Sequence, residues 1–250
     1  MTLYLIGLGL ADEKDISVKG REIVRRCSKI YLENYTSVLQ CSLSDLERFY
    51  GKKIVPAGRV LTEQKTQKII DEAKEQEVAF LVVGDPFSAT THIELFKTAK
   101  EQKVEVKVIN NASVLTAVGL TGLQLYHFGK VTSLPFDQPN LETPYHVLRD
   151  NQKIGLHTLF LLDLNPEENR FMSPKEGLEI LEKMENKKRQ KVIRRDMIAL
   201  ICARLGSDDF VIKAGAFAQL KRLAFGRPPY CLIIPGKLHF VEEEMLKSWQ

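Results

Sequence analysis

Cysteine is scarce in this chain and poorly spaced for chemistry: its 4 cysteines, Cys27, Cys41, Cys202 and Cys231, form no C-x-x-C pair. Metal-site and disulfide-framework readings lose their support, and reduced thiols are the expected state. Long apolar runs are missing too. No segment approaches the roughly 18 continuous apolar residues that a membrane-spanning helix needs. The opening Met1-Thr2-Leu3-Tyr4-Leu5-Ile6-Gly7 is too short, and lacks the basic leader, for a signal peptide. Neither glycine, at 15, nor proline, at 10, is in excess, which sets aside fibrous and low-complexity classes. Charge of one sign does not dominate: 36 Lys and Arg face 32 Asp and Glu, a net +4 that gives no case of its own for nucleic acid. The expectation is a soluble, cytoplasmic, globular protein with no membrane attachment.

What is present is patterned. The chain has 250 residues, 44% of them hydrophobic and 27% charged, enough for one large domain or two smaller ones sharing a cleft. Strand-like runs fall at Leu3–Ile6, Lys29–Leu32, Val78–Val83, Val104–Ile109, Thr158–Asp163, Met197–Ala203 and Tyr230–Ile234. None alternates strictly with polar residues, which predicts strands covered on both faces. Helical segments lie between them. Thr62-Glu63-Gln64-Lys65 suits a helix start with acid in the first turn. Ser173, with Pro174 next and Glu176 three residues on, matches a capping box. The order is α/β, with a boundary near Gly119–Ser133 that divides the chain into domains 1–118 and 119–250. Val241-Glu242-Glu243-Glu244-Met245 reads as a short helix with an acidic start. The densest basic run, Lys187 to Arg195, reads as a solvated helix end or loop, a docking patch or a localisation signal.

Three strand ends carry loops of small and polar residues. Gly7-Leu8-Gly9-Leu10 follows the first strand, but a dinucleotide fingerprint needs a third glycine where Asp12 stands. What remains is a tight loop at the carboxyl end of a strand, the place where open α/β sheets bind ligands. A plain turn accounts for it equally well. Gly84-Asp85-Pro86-Phe87-Ser88-Ala89-Thr90-Thr91-His92 is a stiffer loop, because Pro86 fixes φ. Asp85 either caps the helix that follows or faces a cationic ligand such as an amino group or a sulfonium. Asn110-Asn111-Ala112-Ser113-Val114 is the third loop, where Ser113 either N-caps a helix or the main chain meets an adenosine. Together they suggest a small-molecule cleft. No nucleophile with a base, no metal-ligand cluster and no phosphate loop accompanies them. The 5 histidines, His92, His127, His146, His157 and His239, share no spacing and read as structural.

Beyond these loops the chain resembles one family closely. Leu3–Leu10 with Asp15-Ile16-Ser17-Val18-Lys19-Gly20, then Tyr31-Leu32-Glu33-Asn34-Tyr35-Thr36-Ser37, the Gly84–His92 loop and Ala117–Tyr126 are similar to segments of diphthine synthases. So are Leu156–Asp163, Ala203-Arg204-Leu205-Gly206-Ser207 and Pro235-Gly236-Lys237-Leu238-His239. The matches run in order along nearly the whole chain, and the Leu32–Leu39 run and the Gly-Asp-Pro-Phe loop look closer to the eukaryotic branch.

The resemblance implies a tetrapyrrole-methylase-like fold of two α/β domains with S-adenosylmethionine in the cleft between them, the second domain closing it. It implies a homodimer with no metal that releases S-adenosylhomocysteine. The implied substrate is a histidine of translation elongation factor 2 already carrying a 3-amino-3-carboxypropyl group, methylated to diphthine or diphthine methyl ester on the route to diphthamide. Carried over residue by residue, the cofactor positions are Leu10, Asp85, Ser88, Ser113, Val114, Leu162, Leu205 and Tyr230. Tyr230 stands where the family commonly has His, and Leu205 where it has a small residue. No catalytic base can be named. Methylation of a small tetrapyrrole, a non-catalytic adenosine-nucleotide module and an RNA-associated protein using the basic run are the competing readings.

Overall fold

Continuous apolar runs become the central strands of a parallel sheet. The computed structural model describes residues 1–58, 66–89, 92–136, 138 and 141–250, with Glu167 described by its backbone alone. The helix start at Thr62 lies outside these. The described chain divides into two compact units, Met1–Ala117 with Asn165–Asn169, and Val118–Leu164 with Arg170–Gln250.

In the first unit, β1 (Thr2–Gly7), β2 (Lys29–Glu33), β3 (Val55–Ala57), β4 (Val78–Val82) and β5 (Glu105–Ile109) form a parallel sheet in the order β3-β2-β4-β1-β5. Alternate residues of β1 serve opposite layers. Tyr4 and Ile6 meet α1 (Val18–Arg26) and α2 (Leu43–Tyr50) through Ile23, Val24, Leu46 and Tyr50. Leu3 and Leu5 meet α3 (Thr66–Glu75) and α4 (Ile93–Glu101) through Ile69, Ile70, Leu95 and Ala99. Double coverage is why β1 and β4 are buried at every residue and read as unbroken apolar runs. At the sheet edge, β5 instead alternates exposed and covered residues, so the expectation of two covered faces fails for Val104–Ile109. Short β3, with Pro56 in its middle, is the opposite edge strand, a place where a missing N–H is tolerated. Since all five strands run the same way, the loops after β1, β4 and β5 share one end of the sheet; α5 (Val114–Ala117) follows the last of them.

The second unit uses a different sheet. β6 (Thr132–Leu134), β7 (Thr158–Leu162), β10 (Ile198–Ala203), β11 (Val211–Ala216) and β12 (Tyr230–Ile234) pair in the order β11-β10-β12-β7-β6, antiparallel except for β6 with β7. Two-residue strands β8 (Leu164–Asn165) and β9 (Arg170–Phe171) follow β7. α6 (Thr143–Lys153), α7 (Pro174–Lys188) and α8 (Phe217–Leu220) cover one face through Tyr145, Leu148, Leu178, Leu181 and Phe217. Ser173 and Glu176 form the capping box at the start of α7.

The basic run begins as the last turn of α7 and continues as a turn tied back to it, with most of its charges exposed, in keeping with a solvated helix end or loop. Lys187 and Lys188 pair with Glu142 at 3.4 and 2.5 Å. Glu185 accepts the N–H groups of Lys191 and Ile193 and the Tyr145 hydroxyl at 2.7, 2.8 and 2.9 Å, and Val192 and Ile193 enter the core. Arg189, Lys191, Arg194 and Arg195 remain exposed.

The acidic start of the last helix, α9 (Phe240–Lys247), is also put to internal use. Glu242 is 0% exposed. Its carboxylate accepts from the N–H groups of Gln124 and His239 at 2.8 and 2.7 Å and lies 3.0 Å from His157 Nε2. His157 Nδ1 accepts the Gly236 N–H at 3.0 Å, so the ring carries its proton on Nε2 and donates it to Glu242. Burial raises the carboxyl, but these donors outweigh it and hold Glu242 below the ordinary glutamate value. Glu242→Gln is expected to cost about 3 kcal/mol near neutral pH, because the buried His157 ring and two main-chain N–H groups lose an ionised acceptor. A depressed folded pKa contributes stability above the unfolded value and loses it as pH falls through the folded one. Urea unfolding of variant and wild type should therefore differ at about pH 7 and draw together only as pH falls below the ordinary glutamate range.

Candidate functional site

Three loops meet at the carboxyl end of the first sheet. After β1 the chain forms an antiparallel bridge between Gly9 and Gly84, with N–H to carbonyl distances of 3.2 and 2.7 Å. Gly9 has φ 82°, and a Cβ there would lie 2.5 Å from the Cβ of Asp15. Asp15 in turn holds the N–H groups of Leu10 and Ala11 at 3.1 and 2.7 Å. Part of the charged stretch that broke the dinucleotide spacing is thus the loop's own fastener. At Gly7 there is no space at all: a Cβ would stand 2.6 Å from the Gly84 carbonyl and 2.8 Å from Asn111 Cβ. Asn111 spans the loops, its Nδ2 donating to the carbonyls of Gly7 and Asp15, both at 3.0 Å.

Asp85 is the centre of this assembly. Its Oδ1 accepts from Phe87 N–H at 3.0 Å and the Ser88 hydroxyl at 3.1 Å; its Oδ2 accepts from Asn110 Nδ2 at 2.9 Å and Asn111 N–H at 3.2 Å. The residue is buried, which raises a carboxyl, yet Asn110 and the other donors hold it below its ordinary value. Both oxygens are occupied by the protein's own donors, which corrects the expectation of a carboxylate facing a cationic ligand. Nor does Asp85 cap the next helix, whose N-cap is His92 without a side-chain cap bond. Ser113 does accept the Leu115 N–H, at 3.2 Å, at the start of α5. Leu10, Ala112 and Gly84 are mutual neighbours: a Cβ on Gly84 would find Leu10 Cδ2 and the Ala112 carbonyl no nearer than 3.8 and 3.7 Å.

Leu10, Asp85, Ser88, Ser113 and Val114 thus fall on these loops of the first unit. Leu162, Leu205 and Tyr230 belong to the second unit and fall at one end of its sheet. Tyr230 opposes Ala203 across β10 and β12, and the register Cys231–Leu161 brings Leu162 abreast of it on the other side. The Leu162 side chain is core, 3.0 Å from where a Cβ on Gly177 would sit. Leu205 is buried, and the Tyr230 hydroxyl is spent on the Gly226 carbonyl. Beside them Arg204, 5% exposed, clamps the turn by bonds to Asp209 and to the carbonyls of Phe225 and Arg227.

Residue types alone did not single out Asn111 or Asp15, since an asparagine in a loop and an acid in a charged run look ordinary. Nor did they bring His127, His157 and Glu242 together, whose ligand atoms lie within 4.8 Å of one another. Both His157 nitrogens are already engaged there, so that cluster works as a latch.

Compared with known proteins, residues 2–221 match the model of the family "Tetrapyrrole (Corrin/Porphyrin) Methylases". The chain belongs to this family and is a methyltransferase. It is 46% identical to the diphthine synthase of Methanocaldococcus jannaschii over 98% of this chain and 97% of that protein. It is 45% identical to a protein of Arabidopsis thaliana named "Probable diphthine methyl ester synthase", over 99% of this chain and 98% of that one. A crystal structure of diphthine synthase superposes with a TM-score of 0.92 at 37% identity, covering 100% of this chain and 96% of that one. No described helix is long and apolar enough to cross a membrane.

The clasp sets an expected outcome for Asp85→Ala. Four donors lose their acceptor, so unfolding free energy should fall by about 3 kcal/mol in urea titration. Gly9→Val adds a clash with Asp15 to a positive φ, and should destabilise by a similar amount.

Proposed function

We propose that this methyltransferase uses S-adenosylmethionine to methylate the 3-amino-3-carboxypropyl-modified histidine of elongation factor 2, giving diphthine or its methyl ester. The observation that carries the reading is the clasped strand-end loop cluster, set in a chain that aligns with diphthine synthases from end to end. A Cβ on Gly84 would be in ordinary van der Waals contact with Leu10 and the Ala112 carbonyl, so glycine there keeps the backbone open to close approach, and with both Asp85 oxygens filled, main-chain groups are left to recognise the ligand. That suits a flat adenosyl group bearing a single positive sulfonium. Leu10, Asp85, Ser88, Ser113 and Val114 of the first unit, and Leu162, Leu205 and Tyr230 of the second, are the proposed cofactor positions. Asp85 would act through the loops it fixes.

Bound S-adenosylmethionine supplies an electrophilic methyl group, so the chain's task is alignment of donor and acceptor. A preorganised loop keeps the ordering cost of binding low. The acceptor amine must lose a proton before it can attack; a carboxylate acceptor is ionised at neutral pH and needs no base.

We further propose a cytoplasmic homodimer, with exposed Leu120, Leu125 and Tyr126, at 48%, 43% and 78%, as its apolar contact. Exposed Arg189, Lys191, Arg194 and Arg195 would steer the protein substrate. Mass spectrometry of elongation factor 2 from cells lacking this enzyme, before and after incubation with it and S-adenosylmethionine, tests the reaction. Whole-methyl mass increments on the modified histidine are expected; methylation of a porphyrinoid instead would overturn the assignment. In calorimetry, Asp85→Ala should weaken donor binding by at least about tenfold. Reversing Lys191, Arg194 and Arg195 to Glu should raise KM for the protein substrate by about threefold to tenfold at low salt, with donor affinity unchanged and the gap shrinking as salt rises.

A further inference from the structure

Unsatisfied buried polar atoms are expensive, and among the described residues several of them gather at one place. Glu33 Oε2, Asn34 Oδ1 and both ring nitrogens of His92 are buried without a hydrogen-bond partner. Glu33 ends β2 and is 0% exposed. Its Oε1 accepts the N–H of Tyr35 at 2.7 Å and that of Thr36, which fixes the carboxyl group and leaves Oε2 free. By strand alternation Glu33 shares a face with Tyr31, and Tyr31 pairs with Phe80. The His92 ring packs on that same Phe80 and against Tyr35, with centroids at 5.4 and 6.3 Å. Glu33 Oε2 and Asn34 Oδ1 can only accept, while of the two His92 nitrogens one accepts and the other carries the ring proton. The second carboxylate oxygen therefore has no hydrogen-bond donor of its own.

Position links this deficit to the candidate site. β2 lies beside β4, and the pairing of Leu32 with Leu81 sets Glu33 abreast of Val82, three residues before Asp85. Neighbouring parallel strands lie about 5 Å apart and rise about 3.3 Å per residue, so Glu33 sits within about 12 Å of the Asp85 loop. Asn34 and Thr36, which follow Glu33 in the chain, are half-buried while Glu33 itself is fully buried, so an acceptor reaches its carboxyl only where these neighbours move aside.

Taking the proposed reaction as given, we propose that Glu33 is its catalytic base: Oε2 receives the N–H of the acceptor ammonium and takes its proton. The proton passes from nitrogen to the carboxylate, leaving a neutral carboxyl and a neutral amine. The amine's freed electron pair then forms the bond to the methyl carbon as the carbon–sulfur bond of the donor breaks, and sulfur keeps that pair as a neutral thioether. The other buried titratable groups are poorly placed for this task. Asp85 has both oxygens filled. Burial lowers His92 to about 4, so it holds a proton weakly. Burial pushes Glu33 above its ordinary value, against the N–H groups of Thr36 and Tyr35 and the Thr36 hydroxyl, the direction that makes a carboxylate a better base near neutrality. On the elements packed against this face, the other described titratable groups near it are Tyr31, Tyr35 and Glu72, which accepts the Tyr31 hydroxyl at 2.7 Å.

The test is Glu33→Gln in the full chain, assayed in single turnover on modified elongation factor 2 from pH 6.5 to 8.5. The amide keeps Oε1 for Tyr35 and Thr36 but cannot take the proton. Amine methylation should fall by about 100-fold near neutral pH. The deficit should then shrink about tenfold per pH unit, as the free amine forms in solution below its own pKa. Glu33→Asp should restore the wild-type pH profile at a reduced rate. Donor binding by calorimetry should be unchanged. Without any donor, Glu33→Gln should unfold at the same or higher urea concentration, because a raised folded pKa makes the native carboxyl a cost that grows with pH. A deficit independent of pH, or no deficit, overturns the role of Glu33 while leaving the reaction standing. Failure of wild type to methylate the amine at any pH overturns the reaction and this inference together.

Discussion

The hydrogen bonds of the Asp85 carboxylate tie the candidate site together. Four donors from two loops converge on its two oxygens, and Asn111, one of those donors, carries the linkage on to the loop after β1. Without that convergence the strand ends would still lie side by side, because the parallel sheet puts them there. The loops beyond them would have no common geometry. A ligand pocket built on main-chain groups needs its backbone held to within a fraction of an ångström, and the buried, ionised acceptor is what supplies that hold.

The same device recurs through the molecule. Asp15, Glu185 and Glu242 each accept from two or more main-chain N–H groups and fix a turn or a helix end that way. Arg204 does the converse with carbonyls. A near-balance of acidic and basic residues looks like an ordinary solvated surface when only counted, yet several of these charges are internal fasteners. Glu33 departs from the pattern in one respect: half of its carboxylate is satisfied and half is not. Natural structures leave few such atoms orphaned, and that is the ground on which a proton-accepting role is proposed for it.

The two units solve different problems. Helices on both faces of the first sheet make its strands continuous apolar runs and bring the loops after β1, β4 and β5 to a single end. In the second, mostly antiparallel, sheet, Leu162, the turn holding Leu205 and Tyr230 reach a common end through antiparallel register. A methyltransferase whose donor already carries an activated methyl needs no triad, and among the described residues the strand-end loops offer none. Placement and proton removal remain for the protein to provide.

Much was legible in the chain alone. Unbroken apolar runs located β1, β2, β4, β7, β10 and β12, because burial leaves a direct imprint on residue type. Ser173, Pro174 and Glu176 announced α7, because capping is local chemistry. The ordered family motifs gave the class of enzyme. Three of the four edge strands escaped, β3 with its proline, β6 and β11 with Lys213 and Gly215, since a half-exposed strand need not be apolar, while for β5 the strand was placed but not its exposed face. The roles of Asp85, Asn111, Glu33 and Glu242 escaped as well. Each depends on partners brought from elsewhere, with Gln124 meeting Glu242 across 118 positions and Asn111 meeting Gly7 across 104. Sequence determined which segments are buried and how they begin and end, because those preferences act over a few residues. Only the tertiary structure decided which charges are fasteners and which atoms are left wanting a partner, because hydrogen bonding between distant segments depends on where the folded chain brings them.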